Sequence, residues 1–240
     1  MIHVGTSGWN YRHWAGPFYP EDLEQEQWLR FYAGRFSTVE INNTFYNLPQ
    51  QSVFRKWREA VPEGFLFSVK ASRYITHMKK LKEPQDSVRR FMDRAAGLEE
   101  KMGPVLFQLP PRWKVNPRRL ESFLQELPEG RRYTFEFRDQ SWFHPEIYDL
   151  LRAHGAAFCI YHLAGTLSPR EVTADFVYVR LHGPGGAYRG SYDQETLSGW
   201  VGAFTAWERQ GRDVYCYFDN DQRGYAARDA LALQGMATPE

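Results

Sequence analysis

Short apolar runs recur along the chain, and within each of them polar residues occupy alternate positions. We count eight: IHVGTS, STVEIN, FLFSVKAS, PVLFQLP, RYTFEFRD, AAFCIYH, DFVYVRLHG and DVYCYFDND. Between most of them lie segments with apolar spacing near 3.6 residues: QEQWLRFYAGRF, SVFRKWREAV, SVRRFMDRAAGL, PRRLESFLQEL, PEIYDLLRAHG and ETLSGWVGAFTAWERQG. Asp86 and Asn116 suit N-caps, Pro117 and Pro145 suit first turns, and Gly64, Gly130, Gly155 and Gly211 stand where left-handed caps end helices. Only the connector LAGTLSPREVTA is too short for a full helix, so the sixth helix is expected to be short or absent. Strand and helix alternating this regularly predict a parallel sheet, and eight units in 240 residues match an α/β fold of the (β/α)8 TIM-barrel type. A doubly wound open sheet is the alternative. No linker or composition shift divides the chain, so residues 1–240 read as one domain, with SRYITHMKKLKEP as an excursion after the third strand.

Alternation assigns faces. In TVEIN, Val39 and Ile41 point one way while Glu40 and Asn42 point the other. Helices cover the outside of a barrel, so the apolar pair faces them and the polar pair faces the interior or its mouth. The same parity sends Ser68 and Lys70, Gln108, Glu136 and Arg138, and Arg180 and His182 inward. All of them fall late in their strands, and in this architecture the carboxyl ends of the strands build the active site. Charges there must be paired, and Lys70, Arg138 and Arg180 can match Glu40 and Glu136. The bland alternative is a purely structural ion-pair network that sets strand register, and the loops after the strands tilt the reading toward function.

Composition adds one point to this picture. Aromatics reach 16%, with many in the loops after strands: TSGWNY, NTFYNLP, LPPRW, RDQSWF, HGPGGAYRGSY and DNDQRGY. Aromatics among polar residues suit a cleft for a flat or ring-shaped ligand. The net charge of +1 offers no global field to steer a polyanion, although a local patch can do so. The two cysteines, Cys159 and Cys216, sit in apolar runs and read as buried thiols in a reducing compartment. No leader-like or membrane-spanning stretch is visible, and the expected location is cytoplasmic.

These residues admit several chemistries. Glu40, Glu136, His162, His182, Asp219 and Asp221 are available metal ligands, but no HxH, HExxH or CxxC spacing occurs, and no metal or cofactor is expected. GPGGAYRG matches neither the Walker pattern nor GxGxxG; it is a phosphate-binding loop or simply a flexible turn. Lys70 could act as an amine nucleophile, although pairing with a carboxylate is the commoner fate of such a lysine. Arg112, Lys114, Arg118 and Arg119 around Trp113, and HMKKLK, could contact a phosphate backbone or simply be solvated.

The motifs VGTSGW, VEINNTFY, FSVKAS, LFQLPP, FEFRDQSW, YVRLHG with YRGSY, and YFDND together resemble the YecE-like family, domain of unknown function seventy-two, from His3 to about Ala227. The resemblance implies a TIM barrel but assigns no chemistry; a likeness in barrel shape to metal-dependent apurinic endonucleases and sugar isomerases suggests nucleic-acid processing. The family's motif positions fall here on Thr6, Ser7, Gly8, Trp9, Glu40, Asn42, Thr44, Phe45, Tyr46, Lys70, Gln108, Pro110, Glu136, Arg138, Trp142, Arg180, His182, Gly183, Tyr188, Gly190, Tyr192, Asn220 and Asp221.

Three expectations follow. The first is an enzyme for a small anionic substrate, with Glu40, Glu136, Lys70 and His182 as catalytic candidates. Arg138 and Arg180 serve there as clamps, and Thr6, Ser7, Trp9, Asn42, Tyr46, Gln108, Trp142, Tyr188, Tyr192, Asn220 and Asp221 as further binding residues. The second is a nucleic-acid-binding or nucleic-acid-processing protein that stacks bases on its aromatic rim. The third is a non-catalytic metabolite-binding protein. None of them involves a membrane, and the oligomeric state is left open.

Overall fold

A computed structural model describes residues 1–237 of the chain. The barrel strands are β1 (Ile2–Thr6), β2 (Thr38–Ile41), β3 (Leu66–Lys70), β4 (Met102–Gln108), β5 (Tyr133–Glu136), β6 (Ala157–Leu163), β7 (Phe176–Leu181) and β8 (Asp213–Phe218). They pair in parallel from β2 through β8 and then from β8 to β1. The last seam, β1 to β2, is a single bridge between Ser7 and Glu40, with the Gly8 N–H donating to the Glu40 carbonyl at 2.8 Å. The barrel is therefore nearly closed. Gly5 makes that approach possible, since a Cβ on it would lie 2.2 Å from the Thr38 carbonyl oxygen.

The helices are α1 (Trp28–Ala33), α2 (Gln51–Glu59), α3 (Gln85–Ala95), α4 (Pro117–Leu124), α5 (Pro145–Ala153), α6 (Gln194–Arg209) and α7 (Tyr225–Ala237). Pro117 and Pro145 open their helices, the Asn116 side chain caps α4 by accepting from the Arg119 N–H, and the expected cap glycines all have positive φ. Asp86 is a correction: Pro84 holds the N-cap position of α3, and Asp86 lies in the first turn, ion-paired with Arg89. The sixth connector has no helix among its described residues. Thr166–Leu167 instead folds back antiparallel on β6. Ser168 and Thr173 then accept the backbone N–H groups of Tyr161 and Phe158 through their hydroxyls, so this stretch satisfies β6 without a helix. Helix α7 is Ala-rich with little contrast between its faces, so apolar periodicity alone does not announce it.

Parity divides the interior as expected. Val39, Ile41, Phe67, Val69, Phe107, Phe135, Phe137, Val179 and Leu181 join the large core between barrel and helices. A smaller, separate cluster of Leu106, Ala157, Cys159, Phe176, Tyr178, Tyr215 and Tyr217 fills the barrel lumen. The lumen is lined with phenols that find partners: Tyr217 Oη lies 2.7 Å from both Thr38 Oγ1 and Ser68 Oγ. Cys159 and Cys216 are both free and buried. No helix among the described residues is long and apolar enough to cross a membrane.

Candidate functional site

Above the lumen cluster, the inward-facing charges of four strands meet around Arg180, which has no solvent exposure. Its Nε and Nη2 donate to the two oxygens of Glu40 at 3.0 and 2.7 Å, and its Nη1 donates to Glu136 Oε2 at 2.8 Å. Nη2 also reaches Asp219 Oδ2 at 3.1 Å and Ser7 Oγ at 3.2 Å. Glu40 completes its shell with the hydroxyls of Ser7 and Tyr178, each at 2.7 Å. Glu136 accepts further from Arg138 Nε. His182 bridges the set: its Nδ1 lies 2.9 Å from Asp219 Oδ2 and its Nε2 lies 3.0 Å from Arg138 Nη2. An arginine can only donate, so Nε2 is the acceptor and the imidazole carries its proton on Nδ1, directed at Asp219.

Burial alone would push the Glu136 carboxyl up, but Arg138 and Arg180 outweigh it and hold the group well below the usual carboxylate range. Asp219 follows the same logic: burial opposes its ionisation, and Arg180 and then His182 bring it below its ordinary value. These carboxylates are buried and hydrogen-bonded to arginine beneath the mouth. These surroundings bear on three of the expected roles. Glu40 and Glu136 have no exposed surface with which to exchange a proton with substrate, and the Arg180 guanidinium is spent on carboxylates and cannot clamp a ligand. Arg138 is largely committed to Glu136 and His182.

Lys70 is built differently. It ends β3, is 8% exposed, and has no carboxylate in ion-pair range among the described residues. Its Nζ sits 4.5 Å from the centre of the Phe45 ring. That ring is placed by Thr44, whose hydroxyl donates to the Lys70 carbonyl at 2.6 Å and so ties the loop after β2 to the end of β3. His77, from the excursion after β3, packs edge-on against Phe45 at 5.0 Å. Desolvation, reinforced by Arg180, lowers the Lys70 ammonium from 10.5 to about 8 despite the opposing pull of Glu40, Asp219 and Glu136. The pairing with a carboxylate expected for Lys70 is thus absent.

Lys70 opens into a cleft of about 740 Å³ lined by Trp9, Asn42, Asn43, Tyr46, Lys56, Trp57, Tyr188 and Asp219, among others. Trp9 meets Trp57 edge-on at 5.3 Å to form one wall, and Tyr46 is 74% exposed at the rim. Tyr188 approaches the His182 ring edge-on at 5.5 Å, linking the cleft to the buried charges. The remaining expected binding residues support the site from behind. The Thr6 hydroxyl donates to the Gly8 carbonyl, Tyr192 accepts the Gly183 N–H, and Asn220 donates to Asp229 and to the Gly190 carbonyl. Gln108 is half-buried at the end of β4, and Asp221 receives His13 and Trp14 at its backbone carbonyl.

Trp142 is a further correction: it is fully buried, stacked on Phe137, and its indole N–H donates to the Trp113 carbonyl. Trp113 packs on it in turn, while Lys114 and Lys79 pair with Asp139 and Glu83, so these basic stretches spend part of their charge internally. Two residues gain their place in the site from the fold: Asp219, named in the sequence only as an available metal ligand, and Asp229, which the sequence does not single out. Asp219 touches both the charged floor and the cleft, and the buried Asp229 anchors the loop after β7 through Ser191, the Tyr192 N–H and Asn220. Among the described residues no group of three or more His, Cys, Asp or Glu side chains is arranged to hold a metal ion, and arginine pairs with both Glu40 and Glu136.

Comparison with known proteins bears on the whole chain. Residues 3–240 match the model of the family described as "Protein of unknown function DUF72". UPF0759 protein YunF of Bacillus subtilis is 27% identical over 265 residues, covering 95% of this chain and 91% of that protein. UPF0759 protein YecE of Escherichia coli K12 is 32% identical over 146 residues, which span 60% of this chain but only 50% of that protein. The crystal structure of a DUF72 family protein from Thermotoga maritima superposes with a TM-score of 0.90 at 30% identity and covers 98% of both chains.

Proposed function

The chain belongs to the DUF72 family, and we propose that its barrel mouth is an enzyme site for a small carboxylate- or phosphate-bearing molecule. One observation carries this reading: Lys70 is a nearly buried ammonium with no carboxylate in ion-pair range among the described residues, although the carboxylates and arginines beneath it pair with one another. Desolvating a cation without a counter-ion is costly, and a ligand anion in the cleft offsets that cost. Lys56, exposed on α2, gives the same cleft a second cation, and the aromatic wall of Trp9 and Trp57 suits a small organic skeleton.

The test is calorimetric binding of phosphate, lactate and pyruvate to the wild-type chain and to Lys70→Met, followed by turnover panels of phosphoesters, glycosides and oxo acids. Removal of the charge is expected to weaken binding of the anion that fits by about tenfold or more. Equal affinities in the two proteins sink the reading. The second reading, contact with nucleic acid, predicts affinity for single-stranded DNA or RNA that falls log-linearly with salt concentration, whereas the pocket ligand responds weakly. Its motivation is the exposed Tyr46 and Tyr188 at the rim, which could stack unpaired bases.

A further inference from the structure

Lys70 combines three properties that an ion-pairing lysine does not need together. It is nearly enclosed, its Nζ rests over the face of Phe45, and it ends a barrel strand facing a cleft large enough for a metabolite. A carboxylate neighbour would hold the nitrogen protonated and occupied; here, among the described residues, the nitrogen meets the Phe45 ring and borders the cleft with no ion-pair partner. We infer that Lys70 is a covalent amine that condenses with the carbonyl carbon of a small aldehyde or ketone, of the 2-oxo acid kind, to give an enzyme-bound imine. The inference rests on the anion-site reading above and names the reactive group of its substrate.

The step balances without a co-reactant. Deprotonated Nζ attacks the carbonyl carbon, a C–N bond forms, and the carbonyl oxygen leaves as water, so that protonated amine plus carbonyl yields protonated imine plus one water. The charge of the site is conserved as well. Three carboxylates, Glu40, Glu136 and Asp219, stand against three cations, Arg138, Arg180 and Lys70, and the iminium keeps the positive charge that Lys70 contributes. Desolvation enriches the free amine; with the ammonium lowered from 10.5 to about 8, roughly two- to three-hundredfold more of it is unprotonated at neutral pH than at an ordinary lysine, while the ammonium still predominates. Asp219, at the edge of the cleft and held as an anion by Arg180, offers the forming iminium a nearby negative charge, while the dehydration exchanges its protons with water in the cleft. The iminium draws electrons from the adjacent carbon, which is the chemistry of carbon–carbon lyases.

The experiment is reductive trapping on the full chain. The protein is incubated with pyruvate, glyoxylate or glycolaldehyde phosphate at pH 7.5, reduced with borohydride, digested, and mapped by mass spectrometry at every lysine. Preferential capture at Lys70, roughly tenfold above surface lysines such as Lys82, is expected with at least one probe, and lactate or phosphate should suppress it. Lys70→Arg should lose the adduct while keeping the positive charge, and no variant is needed for the wild-type result to count. Capture spread evenly over the lysines overturns the inference. If the oxo acids and lactate bind with equal affinity and no adduct forms at Lys70, the imine is wrong although the anion site stands. If no probe binds or reacts, both fall.

Discussion

Arg180 and Lys70 are both cations at the carboxyl ends of barrel strands, both directed inward, and both largely hidden from water. On the β7 side all three guanidinium nitrogens of Arg180 donate to partners on other strands. On the β3 side the ammonium of Lys70 meets an aromatic face and a cavity. The contrast separates two uses of a buried charge. A saturated charge is a fastener: it joins β2, β5, β7 and the end of β8, and it resists removal. An unsaturated one is held in an unfavourable state by the rest of the fold, which is what a reactive group requires.

Breaking the fastener should produce the largest effect. Arg180→Met leaves Glu40, Glu136 and Asp219 without their common partner, and urea denaturation is expected to show a loss of about 3–5 kcal/mol. Adding Glu40→Gln to Arg180→Met removes one orphaned charge and should restore part of that loss, a coupling that a double-mutant cycle reads directly. A loss below about 1 kcal/mol for Arg180→Met would mean that water or rearranged side chains compensate the carboxylates, and the distinction between the two sides of the mouth would disappear.

Lys70→Met should act in the opposite direction. The native Lys70 ammonium titrates at about 8 against an ordinary 10.5, so the unfolded chain binds this proton more tightly than the folded one. Wild-type stability therefore carries a penalty that is complete below pH 8, shrinks as pH rises through the window from 8 to 10.5, and vanishes above it. The gap between those values corresponds to ~3 kcal/mol. Lys70→Met is expected to be more stable than wild type at pH 7 by up to that amount, and to lose its advantage by about pH 10.5 while losing ligand affinity at every pH. Paired urea titrations at pH 7, 9 and 10.5 decide it. A variant that is less stable at pH 7 would place Lys70 among the fasteners.

Part of this contrast can be read from the linear chain. Period-two alternation in TVEIN, FSVK, FEFR and VRLH is enough to send Glu40, Lys70, Glu136 and Arg180 into one lumen, because a closed barrel leaves an inward side chain no other destination. The missing helix before β7 is equally legible, since the connector lacks both length and apolar period. Which inward charge meets which depends on the stagger between β2, β5, β7 and β8, a non-local quantity with no local signature. For that reason Arg180 and Lys70 look alike in the sequence and behave differently in the fold. Loop aromatics mislead for a related reason: Trp142 and Tyr46 sit in similar polar company, yet one roofs the helix-facing core and the other stands in solvent. Asp219 belongs by parity to the same inward set as Tyr217, and its role emerges only when His182 is seen beside it.

The smallest expected effect sharpens the comparison from the rim. Tyr46 touches Phe45 edge-on at 5.0 Å and is otherwise in water, so Tyr46→Ala removes little buried surface. Its stability should stay within about 0.5 kcal/mol of wild type, a shift of roughly 1–2 °C in Tm for a chain of this size. Phe45, and through it the seat of Lys70, keeps its ties to Thr44 and His77. If the cleft beside Lys70 is where a ligand lies, the same substitution should still cost several-fold in affinity, because an exposed ring at the rim gains its contact only when the ligand arrives. Binding and melting measured on one preparation separate the outcomes. Unchanged affinity with unchanged Tm would remove Tyr46 from the site and shift the ligand inward toward Trp9 and Trp57, whereas a large fall in Tm would show that the rim, like the floor, holds the fold together.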